Sequence, residues 1–441
     1  MVSSTDTIYA LSSGTLPAGV AVLRLSGSQA MVAMSMLTGG RLPAPRVAAL
    51  RTIRNRNKET IDQALVIQFP APHSFTGEDC VEIHLHGSKA VVDAVFTELD
   101  AIDHIRPAEA GEFSKRAYDN GKMDLLEVEG LADLLKAETE MQRRLAVEQT
   151  SGQLSVLYDD WAHQLTRCRA LIEAELDFSD EEDVPDSVAA QVWVTVSRIK
   201  TEISDHLNAG GSSEIIRNGF KVALIGSPNV GKSSLLNAMS GRDIAIVTDI
   251  AGTTRDVIST DLDIGGYLVT IYDTAGLRDT DDVVEREGVR RARASAAEAD
   301  LVLSLSETDS DAQQIELASY VSIVNVATKS DLHPERCTAP YDLVISAKTG
   351  KGLVELKSLI RSHIETRVGV THSLAPVRAR HKKRLEETLN YVSDALNSEG
   401  MDLAVRSEYL RLAATSLGRI TGRVDVEELL GVIFSEFCIG K

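Results

Sequence analysis

The chain has 441 residues, 43% apolar and 25% charged, with a formal net charge of −19. Its length exceeds one ordinary hydrophobic core and predicts roughly two or three domains, and its acidity excludes a broad, nonspecific nucleic-acid surface. No apolar run reaches membrane-spanning length and the start lacks a basic-then-apolar leader, so no membrane association is expected; four scattered cysteines (Cys80, Cys168, Cys337, Cys438) fit a reducing, cytoplasmic setting. Residues 1–118 read as alternating short strands and turns. Strand composition marks Asp6–Leu11, Val20–Leu25, Gln63–Phe69 and Cys80–Leu85, and a helix is expected over Gly87–Asp100. His84 and His86 alternate on one of these strands, but no third ligand has metal-site spacing, so both read as satisfied side chains. From Met123 to about Leu207 the pattern is helical, broken by the acidic stretch Asp177–Pro185, which reads as a solvated connection. Asn208-Ala-Gly-Gly-Ser-Ser213 reads as a hinge.

The chemistry begins after that hinge. The apolar segment Val222–Ile225 runs into Gly226-Ser-Pro-Asn-Val-Gly-Lys-Ser233, and Ser234–Met239 opens a helix. Strand, glycine-bounded loop, Lys-Ser and helix form the context of a phosphate-binding loop, in which backbone N–H groups and a helix N-terminus face phosphate oxygens. Lys232 reaches the outer phosphates there, and the Ser233 hydroxyl ligates Mg²⁺. Asp261–Asp273 reads as a hairpin turning at Gly265-Gly266, and it delivers Asp273-Thr274-Ala275-Gly276 to a strand end. There the carboxylate meets the Mg²⁺ shell. Strand-like Ser322–Ala327 precedes Thr328-Lys329-Ser-Asp331, and Asp342–Ile345 precedes Ser346-Ala347-Lys348. Asp331 is suited to accept from guanine N1 and N2, donors that adenine lacks in that arrangement. Together these motifs resemble a Ras-like G domain over about Phe220–Arg367, a GTP site.

After Arg367 helices resume, from about Pro376 to Phe434. The cluster Arg378, Arg380, His381, Lys382, Lys383, Arg384 reads either as a solvated helix face or as a contact for nucleic-acid phosphates or an acidic partner.

Asp6-Thr-Ile, Gly19-Val-Ala-Val-Leu-Arg24, Ser74-Phe-Thr-Gly-Glu-Asp79, Arg106-Pro107, Gly111-Glu-Phe-Ser114, Arg116-Ala117, Lys122-Met-Asp-Leu125 and a terminal Cys438-Ile-Gly-Lys441 flank that G domain. In this order the whole chain resembles the MnmE (TrmE) family of tRNA-modification GTPases. The resemblance implies a multidomain α/β and α fold: an α+β folate-binding-like N-terminal and dimerisation domain (1–118), a helical domain in two parts (119–215 and 371–441), and an inserted Ras-like P-loop G domain (216–370).

The family implies more than the residues state. Small GTPases place a water-orienting glutamine where Leu277 stands here, so catalysis needs another source. The resemblance supplies K⁺ held by Asn229 with oxygens of Thr248, Ile250 and Thr253, and Glu285 to position water. Thr254 joins Ser233 and Asp273 on Mg²⁺; Arg255 is either an internal finger or a switch ion pair. Val230, Gly231 and Ser234 complete the nucleotide contacts. Thr328 departs from the usual asparagine, so a hydroxyl replaces only part of the amide's bonding and nucleotide affinity is expected to weaken. Arg24, Glu82, Lys122 and Lys441 correspond to a 5-formyltetrahydrofolate-type site. Cys438 reads as a reactive thiol or a small buried residue. The chain has no GxGxxG dinucleotide fingerprint, which agrees with the family's use of FAD on a separate partner, MnmG. The implied activity is GTP-driven installation of an aminomethyl-type (carboxymethylaminomethyl) group at C5 of a tRNA wobble uridine, by a homodimer whose G domains close on K⁺ and GTP. The alternative is a ribosome-assembly GTPase, which would carry a basic RNA-binding module.

Overall fold

The computed structural model describes residues 6–177, 187–227, 229–241, 259–273, 299–308, 322–332, 341–369, 375–376, 378–398, 402–424, 430–431, 433–434, 437 and 440. The chain divides into two units, one of Met1–Ala132, Gln149–His163 and Ala414–Lys441, the other of Asp133–Glu148 and Gln164–Ala413.

The first unit is built on β1 (Thr7–Leu11), β2 (Ala18–Ser26), α1 (Ala30–Thr38), β3 (Ala49–Arg54), β4 (Thr60–Phe69), β5 (Cys80–Gly87), α2 (Lys89–Leu99), β6 (Ile105–Pro107) and α3 (Glu112–Asp119). The sheet order is β3-β4-β5-β2-β1-β6, antiparallel except where β1 meets β6. Period-two patterning gives β5 two faces. Val81, Ile83 and Leu85 enter a core with Leu23 and Leu25 of β2, Met34 of α1 and Val95 of α2. Each such buried aliphatic side chain contributes about 1.5–3 kcal/mol. Glu82, His84 and His86 take the opposite face.

Reading residues 1–118 as strands and turns, apart from one helix, missed α1 and α3. In α1, Ala30, Ala33, Met34 and Leu37 recur at helical spacing and all four are buried, so the apolar stripe docks the segment on the sheet.

The helical region comprises α4 (Leu125–Lys136), α5 (Glu140–Gln149), α6 (Gln153–Asp177) and α7 (Ser187–Asn218). The acidic connection lies outside the described residues beyond Asp177. The expected hinge at Asn208–Ser213 is absent: α7 runs through it without a break. A mid-helix glycine costs about 1 kcal/mol relative to alanine, and packing overrides that preference. Ser213 is buried, the Ser212 hydroxyl donates to Val368 O at 2.7 Å, and a Cβ on Gly210 would sit 2.8 Å from Pro376 Cγ.

The second unit continues with β7 (Phe220–Gly226), α8 (Lys232–Ser240), β8 (Ser259–Ile264), β9 (Tyr267–Asp273), β10 (Leu301–Glu307), β11 (Ser322–Thr328), β12 (Leu343–Val344), α9 (Leu353–Val368) and α10 (Ala379–Asn397), and the division between the units falls within α11 (Leu403–Thr421), at Ala414. Strand order is β12-β11-β10-β7-β9-β8, parallel except for the β8–β9 hairpin. Parallel strands covered on both faces are buried along their length, as β10 is at every residue but its last. Ligands of such sheets bind beyond the strands' C-terminal ends. The motif residues stand there.

Candidate functional site

Buried Val222, Ala223 and Leu224 fix β7, and the chain leaves it at Gly226 for a tight loop. Asn229 (φ 64°) and Gly231 (φ 107°) occupy left-handed backbone, a conformation asparagine and glycine tolerate better than other residues, and α8 begins at Lys232. Such a turn at a helix N-terminus aims N–H groups at one point, a nest for anionic oxygen. Lys232 is 6% exposed, and its Nζ donates to Gly226 O (2.6 Å) and Ser227 O (2.9 Å). A buried ammonium resting on loop carbonyls beside this nest fits a phosphate chain. Ser233 and Ser234 follow in the first turn of α8, and Asp273 closes β9 opposite Leu224 in parallel register.

The ends of β11 and β12 carry the second group of motif residues. Thr328 closes β11, is buried, and its Oγ1 donates to Val230 O at 2.6 Å, with Ser306 O at 3.2 Å as a second acceptor. The hydroxyl that stands where asparagine is usual therefore ties the end of β11 to the loop between β7 and α8. Asp331 Oδ1 accepts from Ser346 Oγ at 2.7 Å, and this bond holds the carboxyl below the usual range. Ser346 is fully buried and its Oγ also accepts from Thr349 N.

A cavity of about 270 Å³ opens between Val230, Gly231 and Ser234 on one side and Thr328, Asp331 and Ala347 on the other. Lys329 and Lys348 also border it. Its apolar walls, Leu235, Leu332 and Ile345, escaped the sequence reading. Leu332 directly follows Asp331, and Ile345 directly precedes Ser346, so adjacency to the motifs was the available signal. Thr248, Ile250, Thr253, Thr254, Arg255, Thr274, Ala275, Gly276, Leu277, Glu285, Cys438 and Lys441 lie outside the described residues.

In the first unit, Arg24 and Glu82 are cross-strand partners on β2 and β5. Arg24 Nε and Nη2 both donate to Glu82 Oε1, at 3.1 and 2.9 Å. The guanidinium also lies 5.3 Å from the Phe75 ring and 5.9 Å from Phe113. Lys122 packs on the loop that carries Phe75, its Cγ 3.3 Å from where a Gly77 Cβ would stand. An arginine–carboxylate pair beside an aromatic ring suits a flat, polar-edged ligand. On the same face His86 Nδ1 lies 2.7 Å from Asp62 Oδ1. Burial raises the Asp62 carboxyl, but the bonds from His86 and Gln63 outweigh it and the net shift is downward. His84 departs from the expectation of a satisfied side chain. Its Nε2 is 3.5 Å from Glu82 Oε2 but has no hydrogen-bond partner among the described residues. No cluster of three metal-ligating side chains occurs among the described residues.

Behind the pair, Arg116 fixes the 74–79 loop. Its Nη1 donates to Asp6 O (2.9 Å) and Glu78 Oε2 (3.0 Å), and its Nη2 to Glu112 Oε1 (3.1 Å). The C-terminal segment reaches β1 in this unit: Ser12 Oγ donates to Gly440 O at 2.9 Å, and a Gly440 Cβ would lie 2.2 Å from Leu11 O at φ 98°. Gly440→Ala is therefore expected to release this contact. Carboxypeptidase should remove the last residues several-fold faster than from the wild type; an unchanged rate would show that the contact is not what protects them.

Two family models match the chain: "GTP-binding protein TrmE N-terminus" over residues 7–122 and "MnmE helical domain" over residues 125–438. The tRNA modification GTPase MnmE of Agrobacterium fabrum is 68% identical over 443 residues, covering 100% of each chain. The protein of the same name from Rhizobium meliloti is 56% identical over 441 residues, covering 99% of this chain and 100% of its own. With both models and full-length relatives in agreement, the chain belongs to the MnmE family of tRNA modification GTPases.

Proposed function

We propose that the protein hydrolyses GTP to drive tRNA modification. The observation that carries this is the Thr328–Val230 hydrogen bond, which joins the phosphate loop to the strand bearing Asp331 around one cavity. A nucleotide bridging both halves is recognised at both ends. Loop amides and Lys232 receive the phosphates, Asp331 accepts from the guanine edge, and Ser346 holds Asp331 in place.

Hydrolysis requires groups that the small-GTPase glutamine would otherwise provide. Glu285 orients the attacking water, and Arg255 serves either as an internal finger or in a switch-region ion pair. Ser233, Thr254 and Asp273 would hold Mg²⁺, and Asn229, Thr248, Ile250 and Thr253 would hold K⁺. Such cations neutralise charge that develops on the phosphates. Residues 216–370 form the switch module in this reading. Residues 1–118 pair the protein into a homodimer and take a formyltetrahydrofolate-type ligand at Arg24, Glu82, Lys122 and Lys441. The helical segments 119–215 and 371–441 transmit closure of the two G domains. Electron transfer falls to FAD on the partner MnmG, and Cys438 is the candidate reactive thiol of the modification chemistry. The product is a C5 aminomethyl-type group on a tRNA wobble uridine, made in the cytoplasm.

The test is GTP turnover in K⁺ against Na⁺, with Glu285→Ala alongside. Potassium should raise the rate on the order of tenfold or more, and the variant should lose on the order of a hundredfold. Equal rates in both salts with an active variant would sink the assignment.

A further inference from the structure

Each motif residue on the base side of the cavity leans on a second group. Thr328 is held by Val230 O and Asp331 by Ser346. Lys329 lies between them with left-handed backbone (φ 56°), and its Nζ donates to Glu307 Oε1 at 2.5 Å. Glu307 ends β10 beside Thr328 in the parallel register, and its carbonyl accepts from Tyr341 OH at 3.3 Å. Both side chains of the pair are about two-thirds buried, with 31% and 33% exposure.

We infer that Glu307 is a positioning residue for the guanine nucleotide: it pins the Lys329 ammonium outside the cavity so that the lysine's methylene stem forms one wall of the base slot. A lysine carries an apolar stem and a charged tip, and the stem packs against a ligand only while the tip has somewhere polar to go. Anchored at Glu307, the stem is already in place when a base enters, which lowers the ordering needed on binding. Without the anchor the side chain samples many rotamers, and its charge can swing into the slot. An ordinary surface ion pair has the same geometry but does nothing for a ligand. The two differ in what they predict for binding.

This inference rests on reading the cavity as a guanine-nucleotide site. The experiment is fluorescent-GDP binding and dissociation by the full chain, with Glu307→Ala, Glu307→Gln, Lys329→Met and the Glu307→Ala/Lys329→Met double variant. Glu307→Ala is expected to weaken GDP about five- to tenfold, mostly through faster dissociation. Glu307→Gln, which keeps an acceptor, should stay within about twofold of wild type. The double variant should bind no worse than Lys329→Met alone, since residues acting through one another are not additive. Melting of the nucleotide-free protein should not move. Unchanged GDP affinity in Glu307→Ala, or additive losses in the double variant, would overturn the assignment. A wild-type chain that failed to bind GDP would overturn the nucleotide reading itself.

Discussion

Asp331→Asn should turn a GTP-selective protein into one that prefers XTP, with GTP affinity falling on the order of a hundredfold. A carboxylate only accepts, and guanine presents two donors on that edge, N1–H and the 2-amino group. Asparagine keeps one acceptor and turns the other oxygen into an NH₂ that faces the guanine amine. Xanthine carries a carbonyl at that position, so the amide's donor and acceptor both find partners. The loop should survive the change, because Ser346 Oγ donates to Asp331 Oδ1 and an amide oxygen can accept that bond equally well. Selectivity moves while folding does not. The Ser346 bond also lowers the carboxyl's pKa in the folded state. A depressed acid is lost only as pH falls through its folded value, so GTP selectivity should be flat through neutrality and fail only in acid. Competition between GTP and XTP, measured with both proteins, checks this. GTP affinity within about twofold of wild type would remove Asp331 from the base site.

The phosphate loop was legible because its chemistry is local. Gly226, Lys232 and Ser233 must stand at fixed spacing for one loop to wrap one phosphate chain, and the flanking strand and helix are written next to it. Thr328 was legible as a departure, but its compensation was not. Its acceptor, Val230 O, lies far away in sequence, and only the β7–β10–β11 neighbourhood brings the two together. Glu307 was hidden for the same reason. It carries no motif and matters only through Lys329. The region around Asn208–Ser213 failed in the opposite direction: local glycine and serine content signalled a hinge, and tertiary packing kept the helix. In the first unit the signatures Ser74–Asp79, Arg106, Glu112 and Arg116 were visible as family marks. Their physical basis, one ion network, required coordinates. Arg24 and Glu82 were predicted separately as ligand contacts and turned out to be bonded to each other.

Arg116→Met should destabilise the first unit by about 3–5 kcal/mol, a loss of roughly 10 °C in its melting temperature. Arg116 is 5% exposed and bridges Glu78, Glu112 and the Asp6 carbonyl from α3. Methionine fills similar space but leaves Glu78 and Glu112 to solve their charge alone. Burial raises the Glu112 carboxyl, yet hydrogen bonds from Arg106, Glu109 N and Arg116 outweigh it and hold its pKa below the usual range. A depressed carboxyl stabilises the fold above its unfolded pKa and loses that contribution as pH falls through the folded one. Taking away Arg116 moves the folded value upward, so the variant should begin to lose stability at a higher pH than the wild type. Arg106 still pairs with Glu112 at 2.6 Å, which limits that shift and leaves Glu78 as the worse-off partner. Adding Glu78→Gln to Arg116→Met should therefore recover part of the lost stability, because an unpaired charge and not a missing contact carries most of the cost. Thermal and acid melts of the three proteins decide it. A further drop on adding Glu78→Gln would mean that Glu78 is stabilised by Ser26, whose hydroxyl donates to it at 2.7 Å, more than by the arginine.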